Sequence, residues 1–279
     1  MISFDEIKTF FADSIRRNPS WFEYMLKEYF HYRMLDIIFS SEHASKLSFI
    51  GGTSLRILHH IQRFSEDLDF DCFNLSREEF ILLTDKLIDR LRQEGIEVEA
   101  EDKGKDLRLT AFRRNIIFPG LLFELGLTGH REKKLLIKIE CEPHNYNYEP
   151  DKPIIQKFNV FTQIFTPSPE ILLSMKTGAV LERGKGRDYY DFIFLSGLAS
   201  PDFGYLKSRF GIKNEMQLYE RILKTCKDTD FQKKSRDFEK LVFDQAETKK
   251  VLFFIEYIRQ KLDQSLGAKT GITDQISPG

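Results

Sequence analysis

Apolar residues at helical spacing open the chain. Phe4, Ile7, Phe11 and Ile15 recur at intervals of three and four, which predicts an amphipathic helix. Asn18-Pro19-Ser20 interrupts it, with Ser20 as the expected N-cap of a second helix reaching Phe39. That helix carries Tyr24, Met25, Tyr29, Met34, Leu35 and Ile38, a face read as packing. Leu47 to Ile50 reads as a short buried strand. A turn at Gly51-Gly52-Thr53 leads to a helix over Ser54 to Ile61, and Asp67 to Cys72 forms a second strand. Ser76 caps a long helix with the stripe Phe80, Leu83, Leu87 and Leu91, and Gly95 ends it.

From Ile96 to about Phe165 the pattern turns strand-like. Ile96-Glu97-Val98-Glu99 alternates, Asp106 to Phe112 less cleanly. Gly120 to Leu127 and Lys134 to Glu142 are predicted strands, Asn145 to Pro153 a turn-rich loop, and Val160 to Phe165 a last short strand. From Pro167 the helical period returns: Pro169 to Glu182, a break at Gly184-Lys185-Gly186, Arg187 to Gly197, then a mostly helical, charged stretch to Leu262. This divides the chain into N-terminal helices packing on the core (1–43), an α/β lobe (44–166), a helical lobe (167–263) and a disordered tail (264–279).

Composition narrows the classes. With 279 residues, 26 Phe and 30% charged residues, the chain has material for one large domain or two lobes and is not a disordered type. A net charge of −1 does not announce a nucleic-acid binder. Cys72, Cys141 and Cys226 are far apart and odd in number, and the six histidines are scattered, so neither a disulfide framework nor a zinc site is expected. Buried reduced thiols fit a cytoplasmic protein. The N-terminus lacks a signal-peptide pattern, and no apolar run reaches the roughly 18 residues of a membrane span, so no membrane partner is expected.

The chemistry gathers at two places. Gly51 and Gly52 let backbone approach a phosphate, and the amides of the following helix, with the hydroxyls of Thr53 and Ser54, suit an anion. Asp67 and Asp69 share one face of their strand, with Leu68 and Phe70 on the other. Two neighbouring carboxylates repel unless a cation lies between them. Mg²⁺, held by one or two carboxylates plus substrate phosphates, matches that pair and implies an NTP substrate. Arg63 and Ser65 stand just before it, each open to a phosphate-binding or a structural role. A third carboxylate is sought on the strand Ile137 to Glu142. There Lys138, Glu140 and Glu142 share a face, and Glu140 next to Asp69 would complete a metal cradle or act as base. The second place is Lys176 to Asp191. Lys176 and Arg183 nearly share a helical face that suits phosphates, Asp188 and Asp191 are neighbours on the next helix, and Asp191 can orient Lys176 or Arg187. Gly184-Lys185-Gly186 reads as a mobile loop.

Together these residues resemble the AbiEii/AbiGii nucleotidyltransferase family, toxins of type IV toxin–antitoxin and abortive-infection systems within the superfamily typified by DNA polymerase β. Gly51 to Leu55 match its Gly-Gly-Thr-x-Leu, and Arg63 to Asp69 its Arg-x-Ser-x-Asp-x-Asp. Lys176, Arg183, Lys185, Arg187, Asp188 and Asp191 look like its later motif. The resemblance spans residues 47 to 195 and implies an α/β (α+β) protein: a polymerase β-like mixed sheet flanked by helices, with a C-terminal helical lobe supplying Lys176 and Asp191. It also implies NMP transfer from an NTP with Mg²⁺ to an acceptor hydroxyl, tRNA or another RNA among the acceptors, and a separately encoded antitoxin partner. Asp67 and Asp69 would hold metal, and Gly51, Gly52, Thr53 and Ser54 the triphosphate. A nucleotidyltransferase for small molecules and a catalytically silent NTP- or partner-binding module remain the alternative readings.

Overall fold

The computed structural model describes residues 2–101 and 111–273. The chain divides into two compact units, Met1–Pro167 and Ser168–Gly279. No helix among the described residues is long and apolar enough to cross a membrane.

The first unit opens with α1 (Phe4–Thr9), α2 (Asp13–Arg16) and α3 (Phe22–Phe39). Asn18, not Ser20, makes the cap before α3: its Oδ1 accepts from the Ser20 amide at 3.0 Å, at the head of a short 3-10 turn over Pro19–Trp21. Strand β1 (Leu47–Ile50) runs straight into α4 (Gly51–Leu58), so the two glycines are the first residues of the helix rather than a turn before it. Strand β2 (Leu68–Cys72) follows, then α5 (Arg77–Gln93), whose Ser76 and Glu79 form a reciprocal capping box.

Three further strands complete a sheet: β3 (Glu99–Glu101), β4 (Phe112–Phe118) and β5 (Leu135–Glu142). The weak strand expected from Asp106 falls largely outside the described residues. Gly120 to Leu127 is not a strand. A single helical turn, α6 (Leu121–Glu124), stands there, with Leu121 and Leu122 buried in succession and Phe123 exposed, a pattern that strand alternation forbids. Strands β6 (Ile154–Lys157) and β7 (Val160–Gln163) form a separate two-stranded ribbon, its first strand unread in the sequence.

Among the described residues the main sheet has the order β1-β2-β5-β4-β3. Only β2 and β5 are parallel, which sets Asp69 opposite Glu140 and Phe70 opposite Cys141. The alternation sorts the two faces. Leu68, Phe70, Ile137, Ile139 and Cys141 are at most 1% exposed on one face. There Phe39 and Phe30 of α3 reach Phe70 and Phe118, with ring centroids 6.1 and 4.2 Å apart, and α5 packs on β4. Each such buried ring stabilises the unit by about 1.5–3 kcal/mol relative to leaving it exposed. The opposite face carries Asp69, Asp71, Lys138, Glu140 and Arg113.

The second unit is helical: α7 (Pro169–Glu182), α8 (Gly186–Ser196), α9 (Phe203–Phe210), α10 (Glu215–Thr225), α11 (Phe231–Arg236), α12 (Lys249–Leu252) and α13 (Phe254–Thr273). Helix α13 continues past the boundary at 263 drawn from the sequence, as far as Thr273. Its core is aromatic, with Tyr189, Phe192 and Phe231 all stacked or edged against Phe254.

Candidate active site

The first part of the site is built where β1 becomes α4. Gly51 has φ +79°, a conformation that disfavours any side chain, and a Cβ there would lie within 2.9 Å of Asp69 Cγ. Backbone and carboxylate therefore touch, and the opening of an eight-residue helix stands next to a negatively charged group. At Gly52 a Cβ would meet Arg63 Nη2 at 2.5 Å and Ser65 Oγ at 2.9 Å. Arg63 is 1% exposed and donates from Nη1 to the Phe64 carbonyl at 2.8 Å, and Ser65 is buried beside it. Both support the turn from beneath. The hydroxyls of Thr53 and Ser54 face inward as well. Thr53 donates to the Asp67 carbonyl, and Ser54 to the Gly51 carbonyl at 2.9 Å. Of the first four residues of α4, Gly51 is partly exposed and the other three are buried.

Asp67, immediately before β2, and Asp69 within it are both partly exposed. Asp67 is fixed from three sides: Thr53 holds its carbonyl, the Lys138 amide donates to its Oδ1 at 3.4 Å, and His31 of α3 bonds the adjoining Glu66 carbonyl through Nε2 at 3.1 Å. A carbonyl only accepts, so Nε2 carries a proton in this contact. Burial pushes the His31 pKa down to about 4, against the smaller opposing pull of the Glu66 carbonyl.

Glu140 stands opposite Asp69 on β5 and is held by two cations. Arg113 donates to Oε1 at 2.8 Å and Lys138 to Oε2 at 2.7 Å. Burial raises the pKa of Glu140, but Arg113 and Lys138 together bring it below the ordinary value. For Lys138, burial works against the charge, yet Glu140, Asp67 and Asp69 outweigh it and the pKa is raised. The Lys138 ammonium also lies 3.7 Å from Asp67 Oδ2.

Among the described residues no three His, Cys, Asp or Glu side chains gather in a metal-ligating arrangement. The donors that would fit a hard cation are Asp67 and Asp69, two carboxylates beside a helix N-terminus. Asp71 extends the same row and is used differently. It is 1% exposed and accepts from the His144 amide at 2.9 Å and the Tyr148 hydroxyl at 2.8 Å, fastening the loop after β5.

In the second unit Lys176 of α7 meets Asp191 of α8 at 2.6 Å, with both residues buried. Arg183 stands at the C-cap of α7. Its Nε and Nη2 take both oxygens of buried Asp188 at 2.9 and 2.7 Å, and Asp188 also accepts from the Lys185 amide at 3.1 Å. The Gly184-Lys185-Gly186 segment is thus pinned at one end by this clamp. At the other, a side chain on Gly186 would collide with the Lys234 carbonyl. Arg187 is half-buried on α8.

His31, Asp71 and Arg113 are not among the residues that the sequence singles out for the site. Asp71 was signalled by the i, i+2 continuation of Asp67 and Asp69. His31 and Arg113 carry no local signal, since their partners are set by packing and strand register.

Residues 33–266 match a family described as nucleotidyl transferase AbiEii toxin, type IV TA system. No curated protein matches the chain. Among solved structures it is similar to MenT4, the nucleotidyltransferase toxin Rv2826c from Mycobacterium tuberculosis H37Rv. The TM-score is 0.60 at 14% identity, over 93% of this chain and 90% of that one. It is also similar to JHP933 from Helicobacter pylori, with a TM-score of 0.49 at 16% identity over 90% and 97% of the two chains. The first likeness reflects a shared mixed α/β fold.

Proposed function

Since the chain belongs to the AbiEii nucleotidyltransferase toxin family, we propose that it moves a nucleoside monophosphate from an NTP to a hydroxyl of tRNA, using Mg²⁺ held by Asp67 and Asp69. The observation that supports this reading is the contact of Gly51 with Asp69, which brings a helix N-terminus beside the carboxylate proposed to bind metal. A triphosphate needs both.

The acceptor hydroxyl gives its proton to solvent water as its oxygen forms a bond to the α-phosphorus, the bond from that phosphorus to the bridging oxygen of the β-phosphate breaks, and pyrophosphate leaves with the electron pair. Asp67 and Asp69 would hold Mg²⁺, which when bound would supply charge to polarise the phosphate. The amides at the start of α4 receive phosphate oxygens. Thr53 and His31 keep Asp67 in place through backbone carbonyls, and Arg63 and Ser65 keep the glycines close to Asp69. Glu140 acts by holding Lys138 and Arg113 rather than as a base, because two cations stabilise its ionised form. Lys176, paired with Asp191 in the second unit, is a further candidate cation for phosphate. The protein works in the cytoplasm as the toxin of a type IV pair, with a separately encoded antitoxin.

The acceptor is tested by intact mass of tRNA after incubation with each NTP and Mg²⁺. The expected result is a mass gain of one or more nucleotides with a preferred NTP. Unmodified tRNA, with label appearing on a small-molecule acceptor instead, would remove tRNA from the proposal.

A further inference from the structure

Lys138 stands among the carboxylates proposed to hold metal. Its ammonium is 2.7 Å from Glu140 Oε2 and 3.7 Å from Asp67 Oδ2, and its own amide reaches Asp67 Oδ1 at 3.4 Å. The strand pairing imposes this. Asp69 lies opposite Glu140, so the residue two places earlier on β5 falls beside Asp67. The neighbouring cation, Arg113, comes from β4 on the far side of Glu140 and binds its other oxygen. Across this face the charges alternate, with Lys138 between Asp67 and Glu140, and Glu140 between Lys138 and Arg113.

We propose that Lys138 is a built-in competitor of the metal, a resident cation that weakens binding of the bare ion to Asp67 and Asp69 and makes tight metal binding depend on the nucleotide. The proposal rests on the reading that Asp67 and Asp69 hold Mg²⁺. A divalent cation on Asp67 faces a fixed ammonium within a few ångströms, and like charges at that distance repel. A triphosphate brings negative charge that offsets the metal and the ammonium together. Metal and nucleotide are then coupled, and by linkage each raises the affinity of the other by the same factor. The ammonium is partly exposed, with 31% of its side chain in contact with solvent, so its effect is that of a screened charge. Lys138 acts here through the carboxylates, as a positioning and charge-setting residue. The aliphatic stem plays no part, so arginine serves in its place and a neutral side chain does not.

Calorimetric titration of Mn²⁺ into the full chain tests this, first without nucleotide and then with a non-hydrolysable NTP analogue. Lys138→Met is expected to bind Mn²⁺ alone about tenfold more tightly than wild type, and Lys138→Arg within about twofold of wild type. The analogue should tighten Mn²⁺ binding more in wild type than in Lys138→Met. Lys138→Gln serves as a second neutral variant if the methionine variant does not fold. Equal Mn²⁺ affinity in wild type and both neutral variants, with binding lost in Asp69→Ala, overturns the role of Lys138 and leaves the metal reading standing. Binding that survives Asp69→Ala, or no binding by any chain with or without the analogue, overturns both.

Discussion

Asp69 leans against Gly51, so closely that a Cβ on the glycine would fall 2.8 Å from Asp69 Cβ. The contact joins two segments separated by a whole helix, and a side chain on the glycine would take the space of the carboxylate. Gly51→Ala is expected to displace the Asp69 carboxylate and strain a backbone with positive φ, lowering nucleotide transfer on the order of a hundredfold. Single-turnover assays with labelled NTP, alongside circular dichroism to show a retained fold, check it. Activity within about twofold of wild type would show that Asp69 placement is not critical.

Arg63 is expected to matter for stability before it matters for substrate. It is buried under Gly52, so Arg63→Ala removes the packing that sets the height of the turn and should cost about 2–4 kcal/mol in urea denaturation. An unchanged unfolding midpoint with lost NTP affinity would instead give the guanidinium a direct ligand role.

The Lys176–Asp191 pair supports a sharper measurement. Removing either partner strands a buried charge, so Lys176→Ala and Asp191→Ala should each destabilise the protein by about 3–5 kcal/mol. Lys176→Met with Asp191→Leu should recover part of that stability while transfer stays lost. Recovery of transfer along with stability would limit the pair to a structural role.

His31 makes stability depend on pH. Its folded pKa of about 4 lies below the ordinary histidine value of 6.5, so between these limits the unfolded chain binds a proton that the folded chain refuses. Stability is therefore fully present above about pH 6.5 and falls as pH drops towards 4, by about 3 kcal/mol over the window. Glu28 and Glu140, whose folded pKa values are lowered, add their losses only below the ordinary glutamate range. Thermal melts at pH 7.5, 6.5 and 5.5 should decline in wild type and decline less in His31→Gln. Parallel declines would place the titrating group elsewhere.

The parts of the site that are local in sequence were legible. The glycines, the Asp-x-Asp pair and the Lys176 to Asp191 segment announce themselves through spacing, and strand alternation alone puts Glu140 on a charged face. Register was not legible. That Arg113 of β4 and Lys138 of β5 would both close on Glu140 depends on which residues pair across the sheet, which no local pattern states. Gly120 to Leu127 misled because a short apolar run reads equally as buried strand or helical turn. Nothing local marks His31 on α3, and only tertiary packing brings it to the Glu66 carbonyl.

The most direct test of the account compares wild type with Asp69→Asn for transfer of label from an NTP and release of pyrophosphate in Mg²⁺, with calorimetry of metal binding on the same samples. The account predicts that Asp69→Asn stays folded, binds metal at least about tenfold more weakly and loses nearly all transfer. A folded Asp69→Asn protein that transfers nucleotide at the wild-type rate would contradict it.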